Sequence, residues 1–64
     1  MKISVCHVRG HVDLIDYESP VAPRTGEIIE AFVHEKTRMY KVMSVHYIIK
    51  AHKLDYVWVK VGDV

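Results

Sequence analysis

The sequence predicts a small, mostly β domain in which five short strands wrap a core as a partly open barrel. Eleven Val and six Ile stand among 64 residues. They recur in short runs of alternating parity, as in Ile3 and Val5 or Val57, Val59 and Val61. Such spacing puts β-branched side chains on one face of a strand, because successive residues point to opposite sides of a sheet. Turn-type residues break these runs at short intervals, and one long run changes parity midway, which implies a bend.

Ile3 to Val8 reads as the first strand, and Arg9-Gly10 supplies the glycine that a tight turn needs. With a two-residue loop, Ile3, Val5, His7, Val12 and Leu14 share the core face. Ser4, Cys6, Val8, His11 and Asp13 then share the other. Arg-Gly is a weaker hairpin signal than Asn-Gly, so a longer loop with a bulge is the alternative. Glu18 to Gly26 contains Pro20 and Pro23 and reads as a loop, since proline lacks the amide donor of a ladder.

Glu27 to Val33 carries apolar residues on both parities, a pattern suited to a strand buried from two sides. It also keeps helical spacing from Ile28 to Tyr40 behind a capping Thr25, so a short helix near residues 27–36 is the competing expectation. His34 to Arg38 reads as a turn. In Tyr40 to Ile49 the alternation slips between Val42 and Val45, which predicts a β-bulge near Met43 and Ser44 that keeps both halves facing one core. Lys50 to Asp55 turns the chain into a last strand, Tyr56 to Val61.

Size and charge bound what such an object does. A single domain over residues 1–64 buries only roughly 60% of the surface its unfolded chain exposes, less than larger domains do, so its stability is marginal and self-association, most simply a homodimer, is expected. Cys6 is the only cysteine, which fits a reducing, cytoplasmic setting better than a disulfide scaffold. No apolar run is long enough to span a bilayer, and no signal-type stretch follows Lys2. Nine Lys and Arg against eight Asp and Glu leave a formal charge of +1. That balance removes the global electrostatic case for a nucleic-acid partner.

The pattern Pro23-Arg24-Thr25-Gly26-Glu27, then Tyr40 to Tyr47, then Val57-Trp58-Val59-Lys60-Val61, resembles the small SH3-like barrel proteins of bacteriophages and their hosts. The resemblance covers roughly the last two thirds of the chain. The amino-terminal hairpin and the length of Glu27 to Arg38 depart from it. It implies a five-stranded SH3-like barrel and an accessory role, in which a viral protein binds and modulates a host protein or defence system.

Catalytic and metal chemistry find little support. Cys6, His11 and Asp13 share a face, but His7 points away, so a zinc site lacks its fourth ligand. Cys6 and His7 are adjacent in a strand and point apart, and neither Ser19 nor Ser44 has a visible base. No phosphate-cradling glycine motif or cofactor signature is present, and the expectation is a non-enzyme without cofactor. The better candidates are partner-binding residues. Tyr56, Trp58 and Lys60 alternate with the core valines and face outward, and exposed Trp and Tyr serve as interface anchors. Arg9, Arg24 and Arg38 fall in expected turns and, with Lys41 and Lys53, supply a modest basic rim. Their reading as a protein-binding surface competes with a second one, a nucleic-acid or nucleotide-binding barrel.

Overall fold

A computed structural model describes all residues from Met1 to Val64. Five strands follow one another: β1 (Lys2–His7), β2 (Asp13–Glu18), β3 (Ile28–Val33), β4 (Lys36–Lys50) and β5 (Lys53–Asp63). They form one sheet of order β2-β1-β5-β4-β3, curled into a half-barrel. All neighbours are antiparallel except β1 and β5, which run parallel with Ile3 opposite Val57 and His7 opposite Val61. The expected mostly β, partly open barrel is therefore what the chain forms. The short helix weighed for residues 27–36 is absent, because Ile28–Val33 is a strand paired with β4 along its whole length.

The core lies on the concave face and consists of Ile3, Val5, Val42, Val57, Val59 and Val61, each with at most 1% exposure. Every one comes from a parity that the alternation assigned to the inside. Burying each such side chain contributes roughly 1.5–3 kcal/mol, the main stabilisation available to so small a sheet. Leu14, Ile15, Tyr17, Ile29, Tyr40 and Val45 pack around it half-buried.

The bulge falls where the parity slip places it. Val42 faces Val61 and Ser44 faces Lys60, leaving Met43 as the extra residue. Without it Val42 and Val45 would point to opposite faces. A second irregularity, with Asp55 as the extra residue, lies between the Ile48–Tyr56 and Ile49–Leu54 pairs.

Four expectations need correction. The first hairpin is not a two-residue turn but the alternative, a longer loop with a β-bulge, in which Leu14 is the extra residue between the Val5–Ile15 and Cys6–Asp13 pairs. Val8 to Val12 make a longer connection closed by the His7 N–H donating to the Val12 carbonyl at 2.8 Å, with Gly10 and His11 at φ 75° and 52°. Val5 then faces Ile15, so Ile15 and Tyr17 join the concave face and Val12 is left exposed.

The turn expected over His34 to Arg38 contains only His34 and Glu35, and the one over Lys50 to Asp55 only Ala51 and His52. All four have positive φ, the type I′ geometry that matches strand twist. Arg38 is therefore a strand residue, opposite Ala31. Next, β3 is not buried from two sides: Ile28 is 50% and Phe32 72% exposed. Finally, Tyr47 and Ile49 share the parity of Val45 but are exposed, because the β4–β5 hairpin projects past the core in a molecule 37 Å long and 20 Å across.

Candidate functional site

The half-barrel does not close. The edge strands β2 and β3 each pair on one side only, with β1 and with β4, and antiparallel alternation decides which backbone groups stay free. Met1 and Ser19 exchange both bonds, at 2.9 and 3.0 Å. Ile3 and Tyr17 are then the next bonded pair, and Asp16 and Glu18 turn their N–H and C=O groups to the open side. On β3 the Glu27 carbonyl accepts from the Val42 N–H at 2.8 Å. By the same alternation Ile29, Ala31 and Val33 bond to β4, while Ile28, Glu30 and Phe32 present free backbone groups.

A groove runs between these two edges. A cavity of about 370 Å³ lies between Leu14 and Ile15 on one wall and Ala31, Arg38 and Tyr40 on the other. A second, of about 360 Å³, is lined by Ile15, Tyr17, Ile29 and Ala31. They share Ile15 and Ala31, so they are two stretches of one channel, apolar along Ile15, Tyr17, Ile29 and Ala31 and charged at the other end, where Asp13, Lys36 and Arg38 line it. Burial pushes the Tyr17 phenol above its ordinary value of 10.0. Beyond Tyr17 the floor continues beneath Ala22 and Arg24 of the proline loop. That loop is held by a turn in which the Glu27 N–H donates to the Arg24 carbonyl at 3.0 Å, with Gly26 at φ 93°.

The convex face carries the aromatic stripe. Trp58 sits between Ser4 on β1 and His46 on β4, its ring 5.5 Å from the His46 ring and 4.7 Å from Lys60 Nζ. It is half-buried, covered on its own face rather than sunk in the core. His46 Nε2 lies 3.0 Å from Ser44 Oγ, a serine–histidine contact that the spacing of the two residues on one strand face explains. It lies on the outer face of the sheet, away from the groove. Ile28, Phe32, Met39 and Met43 extend an apolar patch across the outside of β3 and β4, each at least half exposed.

The expected binding residues do not form one surface. Tyr56, Trp58 and Lys60 stand together on the convex side of β5, and Lys41 lies on the same side, opposite Gly62 and Ile28. Arg38 belongs to the concave side and lines the groove. Arg24 lies at the other end, 3.9 Å from Glu27. Sequence reasoning passed over Phe32 and Ile28, whose signal was the apolar residues of β3 on both parities when only one side of the sheet holds a core.

One end of the barrel is tied by His7 and Asp63, whose Nε2 and Oδ1 are 3.0 Å apart. The hydrogen bond from His7 chiefly holds the Asp63 carboxyl below its ordinary value of 3.8, assisted by the charges of His7, Arg9 and Arg38 against a smaller opposing effect of burial. Cys6 is buried, and Cys6, His11 and Asp13 do not come together with a fourth ligand as a metal-binding group. No protein-family model, curated protein or solved structure matches the chain.

Proposed function

We propose that the chain is a small non-catalytic binding module whose partner is a protein, engaged at the open seam and the apolar outer face of β3. The observation that supports it is the β3 edge. Its sequence, IIEAFV, has one charge and no proline, its backbone groups are unpaired on one side, and Phe32 is 72% exposed. Natural proteins guard such edges with charge, proline or cover, and an unguarded one is a template for another strand. By contrast β2, DLIDYE, carries three carboxylates.

The SH3-like resemblance gives this reading its finer form: a phage-type accessory protein that modulates a host protein or defence system, working in the cytoplasm. Self-association as a homodimer belongs to the same proposal, with Trp58 as a second anchor. No helix is long and apolar enough to cross a membrane.

A photoreactive residue placed at Phe32, and separately at Lys53 on the projecting hairpin, tests the proposal in the cells that make the protein. The expected result is a discrete protein adduct from position 32 and none from 53. Adducts consisting of nucleic acid, or none at position 32, would overturn it.

A further inference from the structure

We infer that the seam takes an extended strand of a partner protein with apolar residues at alternate positions and Lys or Arg between them, completing the barrel as a sixth strand. This rests on the protein-binding reading and specifies the chemistry of the partner.

The two walls are complementary to such a guest in three ways. The backbone groups of Ile28, Glu30 and Phe32 on one edge, and of Asp16 and Glu18 on the other, face the gap without partners, and strand addition supplies them. Side chains of a guest that point inward meet the apolar floor of Ile15, Tyr17, Ile29 and Ala31. Side chains that point outward emerge at a rim carrying Asp16, Glu18 and Glu30, all on the convex parity, with Asp13 at its end.

The cations that line the groove, Lys36 and Arg38, lie only at its Asp13 end, and along the rest of the rim only part of the acidic charge is answered within the chain. Lys2 Nζ is 4.0 Å from Asp16 and the amino terminus 3.6 Å from Glu18, and Glu30 and Asp13 have no ion pair. A guest with acidic outward residues would meet the rim with like charge, which disfavours it. One with basic residues gains attraction and faster encounter. Because β2 and β3 run antiparallel to each other, a guest antiparallel to β3 lies parallel to β2. The antiparallel ladder on β3 then sets the register, and the groove of alternating floor and rim selects the side chains.

The test uses the intact chain and three capped hexapeptides: alternating Lys and Val, alternating Glu and Val, and the Lys-Val peptide methylated on alternate amides. Hydrogen exchange followed by NMR reads the Ile28, Glu30 and Phe32 amides, and titration reads affinity. The Lys-Val peptide is expected to bind and slow exchange at these three amides. The Glu-Val and methylated peptides are expected not to bind. Glu30→Lys and Asp16→Lys together should weaken Lys-Val binding by about tenfold, the order that reversing rim charges produces.

Equal binding of Glu-Val would overturn the basic-partner inference while the protein-binding reading stands. Protection of the three amides before any peptide is added, with twice the monomer mass by light scattering, would assign the edge to a second copy and overturn it too. If no peptide protects these amides while position 32 still crosslinks to a protein, strand addition is wrong but the module reading survives. Loss of that crosslink removes both.

Discussion

His7 and Asp63, 56 residues apart in the chain, are joined by a hydrogen bond of 3.0 Å across the parallel pair of β1 and β5. The Arg9 N–H donates to the other ring nitrogen, Nδ1, also at 3.0 Å, which in the neutral ring assigns the proton to Nε2 and makes it the donor to Asp63. Both nitrogens are used, so the ring is fixed at the mouth of the groove, edge-on to Tyr40 at 6.1 Å.

This contact makes stability depend on acid. The folded-state pKa of Asp63 lies below its ordinary value of 3.8, so the folded protein binds fewer protons there than the unfolded chain. The stabilisation is complete above the ordinary value and lost as pH falls through the depressed one. Asp63→Asn should therefore melt below the parent at neutral pH, and the gap should close in acid. Thermal melts across that range check it; a constant gap would show that another feature of Asp63 matters.

The concave valines should be the sensitive positions. Val42→Ala and Val59→Ala remove volume from fully buried sites and are expected to cost roughly 1–3 kcal/mol each. Lys41→Ala, on the convex side, should cost about 0.5 kcal/mol or less, and Lys60→Ala about 1 kcal/mol at most, the contact it loses over the Trp58 ring. Chemical denaturation of the four variants compares them directly, and the reverse ranking would invert the two faces of the sheet.

Trp58 calls for a different outcome. Half-buried against His46 and under Lys60, it should be replaceable: Trp58→Ala is expected to stay folded with a loss of about 1–2 kcal/mol. A double-mutant cycle with Lys60→Met should return a coupling of about 0.5–1 kcal/mol from the cation over the ring. Unfolding of the single variant would mean that the convex face is as essential as the core.

The two tight turns are improvable. His34, Glu35, Ala51 and His52 all sit at positive φ without being glycine, a conformation that costs L residues roughly 1–2 kcal/mol apiece. Replacing Ala51-His52 with Asn-Gly should raise the melting midpoint, as should the same change at His34-Glu35. If neither rises, side chains in these turns make compensating contacts.

Much of this architecture was legible because parity is local. The valines of β5 announced their face, and the slip between Val42 and Val45 announced the Met43 bulge. Neighbour relations were not legible in the same way. Nothing in alternation says that Ile3 will lie beside Val57, since period two assigns a residue to a face and not to an adjacent strand. The groove depended on that missing information. Its walls, around Ile15 and Ala31, come from strands adjacent in sequence order but never paired, and the cavity exists only because of the strand order between them. The turns were misjudged because polar His34 to Arg38 looks like loop, whereas its outer members Lys36 to Arg38 extend a strand whose two faces are both wet at that end.

The parallel pairing of β1 with β5 also governs how the molecule comes into being. Of the five strands, the first and the last to leave the ribosome meet in the middle of the sheet, and five of the six core residues belong to them. Until Val61 emerges, a nascent chain has the β3–β4 hairpin and the β1–β2 hairpin but nothing to lay them against. Ring closure over so much of the chain is slow relative to local contacts. The growing polypeptide thus displays the apolar residues Ile28 and Phe32, which stay exposed in the folded sheet as well, before it has an interior.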